Sequence, residues 1–123
     1  MLKKILLVDD EPHIVMMLKN RIKQAGYDII TAGDGQEGLE KARKEKPDLI
    51  ILDVMLPKLD GYKVCRMLKF DDKYKHIPII MFTARAQEID KKTSEEVGAN
   101  GYITKPFVAQ ILLDKIKELL PEK

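Results

Sequence analysis

Five short apolar runs recur along the chain, and between them the hydrophobic residues switch to helical spacing. The runs are Lys4–Val8, Asp28–Ala32, Asp48–Leu52, Ile79–Phe82 and Gly101–Thr104. Uninterrupted apolar segments of this length suit strands covered on both faces, which is the condition of a parallel sheet. Parallel neighbours need a crossover between them, and each intervening segment is long enough to be a helix. The first helix is expected to begin near Pro12, with Ile14, Leu18, Ile22 and Ala25 on one face and Gly26 as its stop. Further helices are expected around Gln36–Lys44, from Asp60-Gly61 to about Phe70, over Gln87–Val97, and over Phe107–Leu120. The last would turn Val108, Ile111, Leu112, Ile116 and Leu119 to the sheet. Five βα repeats use the whole sequence, so one domain over residues 1–123 is expected, a usual domain size.

Composition narrows the function classes. Lys and Arg number 22 against 20 Asp and Glu, a net charge of +2, spread along the predicted helices rather than gathered into a patch. Phosphate backbones demand a clustered basic face, so direct nucleic-acid binding is not expected. No run reaches the roughly 18 apolar residues of a membrane span, and the N-terminal run is too short for the apolar region of a signal peptide. One cysteine, Cys65, precludes an internal disulfide framework. A cytoplasmic protein is the expectation.

The polar residues that end the apolar runs carry the chemistry. Asp9-Asp10 follow the first run, Asp53 the third, Thr83 the fourth and Lys105 the fifth. In an open parallel α/β sheet, ligands bind at this C-terminal edge. A single Asp after a strand reads first as a helix cap, and it is Asp53 at the end of a second apolar run that turns the reading towards a site. Three carboxylates brought to adjacent strand ends repel one another and call for a cation, and a hard divalent ion such as Mg²⁺ suits oxygen ligands in an open site. A hydroxyl (Thr83) and an ammonium (Lys105) on the same edge would hold an anion with several oxygens, such as a phosphoryl group.

Val8-Asp9-Asp10-Glu11-Pro12, Leu52-Asp53-Val54-Met55-Leu56-Pro57-Lys58-Leu59-Asp60-Gly61, Thr83-Ala84 and Tyr102-Ile103-Thr104-Lys105-Pro106-Phe107 together resemble the receiver domain of bacterial two-component response regulators. The likeness runs from about residue 2 to 120, with its markers in order. It implies a flavodoxin-like three-layer α/β sandwich, a five-stranded parallel sheet of order 2-1-3-4-5 with five helices. It further implies that Asp53 accepts a phosphoryl group from a sensor histidine kinase or phosphotransfer protein. In that family Asp10, Asp53 and the backbone carbonyl of Met55 would bind Mg²⁺, with Asp9 acting through water. Lys105 and Thr83 would contact phosphoryl oxygens, and a cis peptide between Lys105 and Pro106 would aim the lysine inward. Thr83 and Tyr102 would form the switch that reshapes the surface of the fourth helix, fifth strand and fifth helix for a downstream protein target. Such a protein is no enzyme beyond its own phosphorylation and dephosphorylation. The same residues would serve the receiver half of a longer DNA-binding or enzymatic regulator.

Other signals compete. Gly33-Asp34-Gly35-Gln36-Glu37-Gly38 matches the dinucleotide fingerprint GxGxxG, with Asp53 about 20 residues on, which a small dinucleotide-binding enzyme would use. It follows the second strand rather than the first and leaves Asp9, Asp10, Thr83 and Lys105 unexplained, so a turn and helix start is the simpler reading. An aspartyl nucleophile after a strand also suggests haloacid dehalogenase-type phosphatases, but the second Asp they want two residues on is Met55 here. His13 and His76 read as surface residues, and Cys65 as a small buried apolar one.

Overall fold

The computed structural model describes residues 2–56, 58–83, 96–104 and 108–120. Five strands form one parallel sheet: β1 (Lys4–Val8), β2 (Asp28–Ala32), β3 (Leu49–Asp53), β4 (Ile79–Thr83) and β5 (Gly101–Thr104). Their order is β2-β1-β3-β4-β5. Among the described residues four helices connect or flank them: α1 (Pro12–Gln24), α2 (Gly35–Glu45), α3 (Gly61–Lys69) and α4 (Ala109–Leu119). This is the flavodoxin-like sandwich; the helix expected over Gln87–Val97 lies almost wholly outside the described residues.

Strand alternation builds two cores. Ile5, Leu7, Leu49, Ile51, Ile80, Phe82 and Ile103 face α1 and α4, where Leu18, Ile22, Leu112 and Ile116 meet them. Leu6, Val8, Ile50, Leu52, Ile79 and Met81 face α2 and α3, against Leu39, Ala42, Val64, Cys65 and Leu68. Strands buried on both faces need apolar residues at every position, which is why the runs in the sequence do not alternate. Each fully buried Leu or Ile contributes about 1.5–3 kcal/mol, so the sheet's position is fixed from both sides.

The helices end where local chemistry ends them. Gly26, at φ +99°, turns the chain after α1 in a conformation that a Cβ disfavours. Asp34 caps α2 by accepting the Glu37 N–H at 2.8 Å, and Asp60 caps α3 by accepting the Lys63 N–H at 3.0 Å.

Three expected core residues are instead exposed. Val108 is the extended N-cap of α4, outside the helix, so the helical spacing counted from Phe107 starts too early. The buried stripe of α4 is Leu112, Leu113 and Ile116, which leaves Ile111 on the outer side at 55% exposure and Val108 at 63%. Ala25, the C-cap of α1, is exposed as well.

Candidate functional site

The register of the central strands assembles the acidic cluster. Val8 of β1 lies opposite Leu52 of β3, so Asp9 and Asp53 each stand one residue beyond a paired position. The chain crosses from β2 over β1 to β3, which leaves the C-terminal ends of β1 and β3 flanked by helices on opposite faces. That divergence opens a crevice at a topological switch point. Carboxylate oxygens of Asp9, Asp10 and Asp53 lie within 4.8 Å of one another there.

Asp9 and Asp53 are 2% and 3% exposed, whereas Asp10 faces solvent. The two buried acids are held alike. Asp9 Oδ1 accepts the Glu11 N–H at 2.9 Å, and Asp53 Oδ1 accepts the Met55 N–H at 3.1 Å. Each is a side chain bonding its own backbone two residues on, a turn motif for which Asp is suited. The N-cap of α1 is Glu11, with no side-chain capping bond, so neither Asp9 nor Asp10 is consumed as the helix cap. An oxygen-only donor set with one side open to solvent, at Asp10, fits a hard divalent cation that keeps several waters. A shallow cleft lined by Asp9, Asp10, Pro12, Val15, Thr31 and Gly33 continues from the cluster along α1.

The remaining expected site residues fall at the same sheet edge where they are described. Asp53 is in register with Phe82, and Thr83 follows it as the last residue of β4, opposite Thr104 of β5. Met55 is 58% exposed beside the cluster. Tyr102 is half-buried on the edge strand β5, against the core shared with α2 and α3. Lys105 and Pro106, with their expected cis peptide, lie outside the described residues. His13 is 80% exposed, 3.6 Å from Glu11, and His76 is also on the surface.

The loop after Asp53 is anchored tightly. Leu56 and Gly61 both donate their N–H to the Val54 carbonyl, at 3.2 and 3.0 Å. A Cβ on Gly61 would overlap the Asp53 carbonyl, so only glycine lets α3 begin this close to the site.

The Gly33–Gly38 segment does not cradle a phosphate. A Cβ on Gly35 would overlap the Leu59 carbonyl, and one on Gly38 would press on the Val8 side chain, so these glycines admit the protein's own groups. The N–H groups a pyrophosphate would need are already taken by carboxylates. Asp34 accepts from Glu37, and Glu37 Oε1 accepts the Gly33 N–H at 2.8 Å. The Glu37 N–H, followed by the Lys58 charge, holds the Asp34 carboxyl below its ordinary range. The Gly33 N–H, followed by Lys41, does the same for Glu37. The two carboxylates occupy the helix start where a pyrophosphate would have to sit. The packing of Leu59 and Lys58 on this turn was not anticipated from the sequence, and Asp34-x-x-Glu37, a capping-box spacing, is the local signal that marks the helix start.

Comparison with known proteins decides what this site belongs to. The response regulator receiver domain model matches residues 5–117. The chain belongs to that family. It is 51% identical over 118 residues to the alkaline phosphatase synthesis transcriptional regulatory protein PhoP of Bacillus subtilis, covering 96% of this chain and 48% of the relative. The receiver thus spans about half the length of that relative. Among solved structures, the chemotaxis response regulator CheY4 of Vibrio cholerae superposes with a TM-score of 0.91 at 35% identity, over 97% of this chain and 99% of that one. The receiver domain of the sensor histidine kinase PA1611 of Pseudomonas aeruginosa superposes with a TM-score of 0.90 at 29% identity, over 99% and 100%. That structure holds a magnesium ion coordinated in its active-site cleft. In the receiver itself, no helix among the described residues is long and apolar enough to cross a membrane.

Proposed function

We propose that this receiver is a phospho-accepting switch of a cytoplasmic two-component phosphorelay, with Asp53 as the phosphoacceptor. The observation that carries the reading is the convergence of Asp9, Asp10 and Asp53 within 4.8 Å at the switch point of a receiver fold. Asp10, Asp53 and the Met55 backbone carbonyl would hold Mg²⁺, with Asp9 acting through water. Bound there, the ion offsets the negative charge that builds on the phosphoryl oxygens in flight.

A carboxylate oxygen of Asp53 forms the new P–O bond while the P–N bond of the donor phosphohistidine breaks, and the imidazole leaves with the electron pair. The product is an acyl phosphate. The Lys105 ammonium pairs with one phosphoryl oxygen and the Thr83 hydroxyl donates to another. Thr83 drawn towards the phosphoryl group leaves space for the Tyr102 ring, and this alters the surface formed by the predicted Gln87–Val97 helix, β5 and α4. The chain catalyses only its own phosphorylation and dephosphorylation. Its partners are a sensor histidine kinase or phosphotransfer protein upstream and a protein target downstream. The likeness to the PhoP transcriptional regulator supports control of transcription as the output, by a DNA-binding unit joined to or contacted by this receiver.

Calorimetric titration with Mg²⁺, followed by incubation with acetyl phosphate and intact-mass measurement, tests the reading. Wild type should bind one Mg²⁺ and gain one phosphoryl group. Asp10→Asn should bind the ion at least about tenfold more weakly, roughly 1.4 kcal/mol, and Asp53→Asn should gain no phosphoryl group. Phosphorylation that is indifferent to Mg²⁺ would contradict the assignment.

A further inference from the structure

The Gly-Asp-Gly turn before α2 matches a nucleotide motif but serves the protein's own backbone, and what it contacts is the loop that leaves Asp53. We infer that the Asp34-Gly35 turn is a positioning device for the acidic site: it seats the Val54–Gly61 loop through the Leu59 carbonyl and so fixes the Asp53–Met55 backbone. This rests on the reading of Asp53 and Met55 as site residues.

Three observations support it. The Leu59 carbonyl occupies the space that a Cβ on Gly35 would need, and that contact is with backbone, which cannot rotate away. Lys58, next to Leu59, holds φ at +69°, a left-handed conformation that a side chain disfavours and that persists only when its surroundings impose it. The Lys58 ammonium lies 3.6 Å from Asp34 Oδ2, so the same turn contacts the loop a second time.

The two contacts differ in strength. The Lys58 side chain is 71% exposed, so its ion pair is screened and weak. The backbone seat on Gly35 is therefore the contact that sets the loop, and the ion pair follows it. The effect reaches the site through two backbone hydrogen bonds. Leu56 and Gly61, on either side of Leu59, both donate to the Val54 carbonyl, one residue from Asp53, so a shift at Leu59 is passed to the residues that hold the ion and the phosphoryl group.

The test is Gly35→Ala, read by amide hydrogen exchange in the metal-free protein and by Mg²⁺ titration. The Gly61 N–H, bonded to the Val54 carbonyl, reports the loop. In Gly35→Ala its exchange should quicken and Mg²⁺ affinity should fall, each by about tenfold or more. Ile22→Ala, in the opposite core and at least as destabilising to urea, should change neither. Should Gly35→Ala fail to fold, Lys58→Val takes its place: a β-branched residue resists the left-handed φ and should loosen the loop, while Lys58→Gly, which accepts that φ, should not. Wild-type exchange and wild-type affinity in the folded variant would overturn the inference, as would equal losses in Ile22→Ala. Wild type that binds no Mg²⁺ would refute the proposed function, and the Gly61 exchange would still decide whether Gly35 seats the loop.

Discussion

Cys65 is the one thiol of the chain, and its surroundings make it inert. It is fully buried on α3, with its Sγ 3.5 Å from the Val97 carbonyl. Burial pushes its pKa up to about 12, against the smaller opposing pull of the Lys69 charge. Only the thiolate attacks a disulfide reagent, so labelling of the folded protein should be at least about a hundredfold slower than in denaturant at pH 8. The sign of the pH effect follows from the same shift. The folded thiol ionises above the ordinary value of 9.0, so its contribution to stability is complete below pH 9 and is lost as pH rises towards 12. Cys65→Ala should lack that share of the alkaline loss in urea titrations; an unchanged alkaline profile would show that the thiol is not kept from water. This reading was legible in the sequence, since a lone Cys in mid-helix is most often a small buried apolar residue.

Among elements, α3 is tied at its end by the Lys69 side chain. Lys69 Nζ donates to the carbonyls of Lys75 and Ile77 and to Asn100 Oδ1, at 2.8, 3.1 and 3.0 Å. Asn100 Oδ1 also accepts the Ile79 N–H at the start of β4, so helix, loop and sheet share one polar knot. Desolvation lowers the Lys69 pKa, and each of the three donors of its ammonium meets an acceptor. Lys69→Met removes the donor and strands the acceptors, which should cost about 1–3 kcal/mol in urea unfolding. The exposed Lys73→Met should stay within about 0.5 kcal/mol of wild type, and equal effects would contradict the assignment. No local pattern announces this knot, because Asn100, which joins the helix end to the sheet, lies 31 residues from Lys69. Local patterns did announce the strands: β1, β2 and β5 run as their apolar residues dictate, and β3 is displaced by one residue so that it ends on Asp53 itself. The α4 face was misread because Val108 and Ile111 are apolar yet carry no register information once the helix starts at Ala109.

Across the whole molecule, the sheet order turns separate sequence features into one site. Asp9, Asp10 and Asp53 were recognisable because each ends an apolar run, and a parallel sheet gathers such ends along a single edge. What periodicity could not supply was the neighbour relation of β1 and β3, which came from family resemblance and is borne out by the strand pairing. Nor could it show how the Asp53 loop rests on the turn before α2, since residues 35 and 59 share no local pattern. If Asp53 is the phosphoacceptor, the phosphoryl group resides on it and on no other carboxylate of the cluster. The direct measurement is reduction of the acetyl phosphate-treated protein with borodeuteride, which converts an acyl phosphate to deuterated homoserine, followed by peptide sequencing in the mass spectrometer. Deuterated homoserine at residue 53, and none in samples prepared without Mg²⁺, is the predicted result. The label at Asp9, Asp10 or elsewhere, or at residue 53 regardless of the ion, would contradict it.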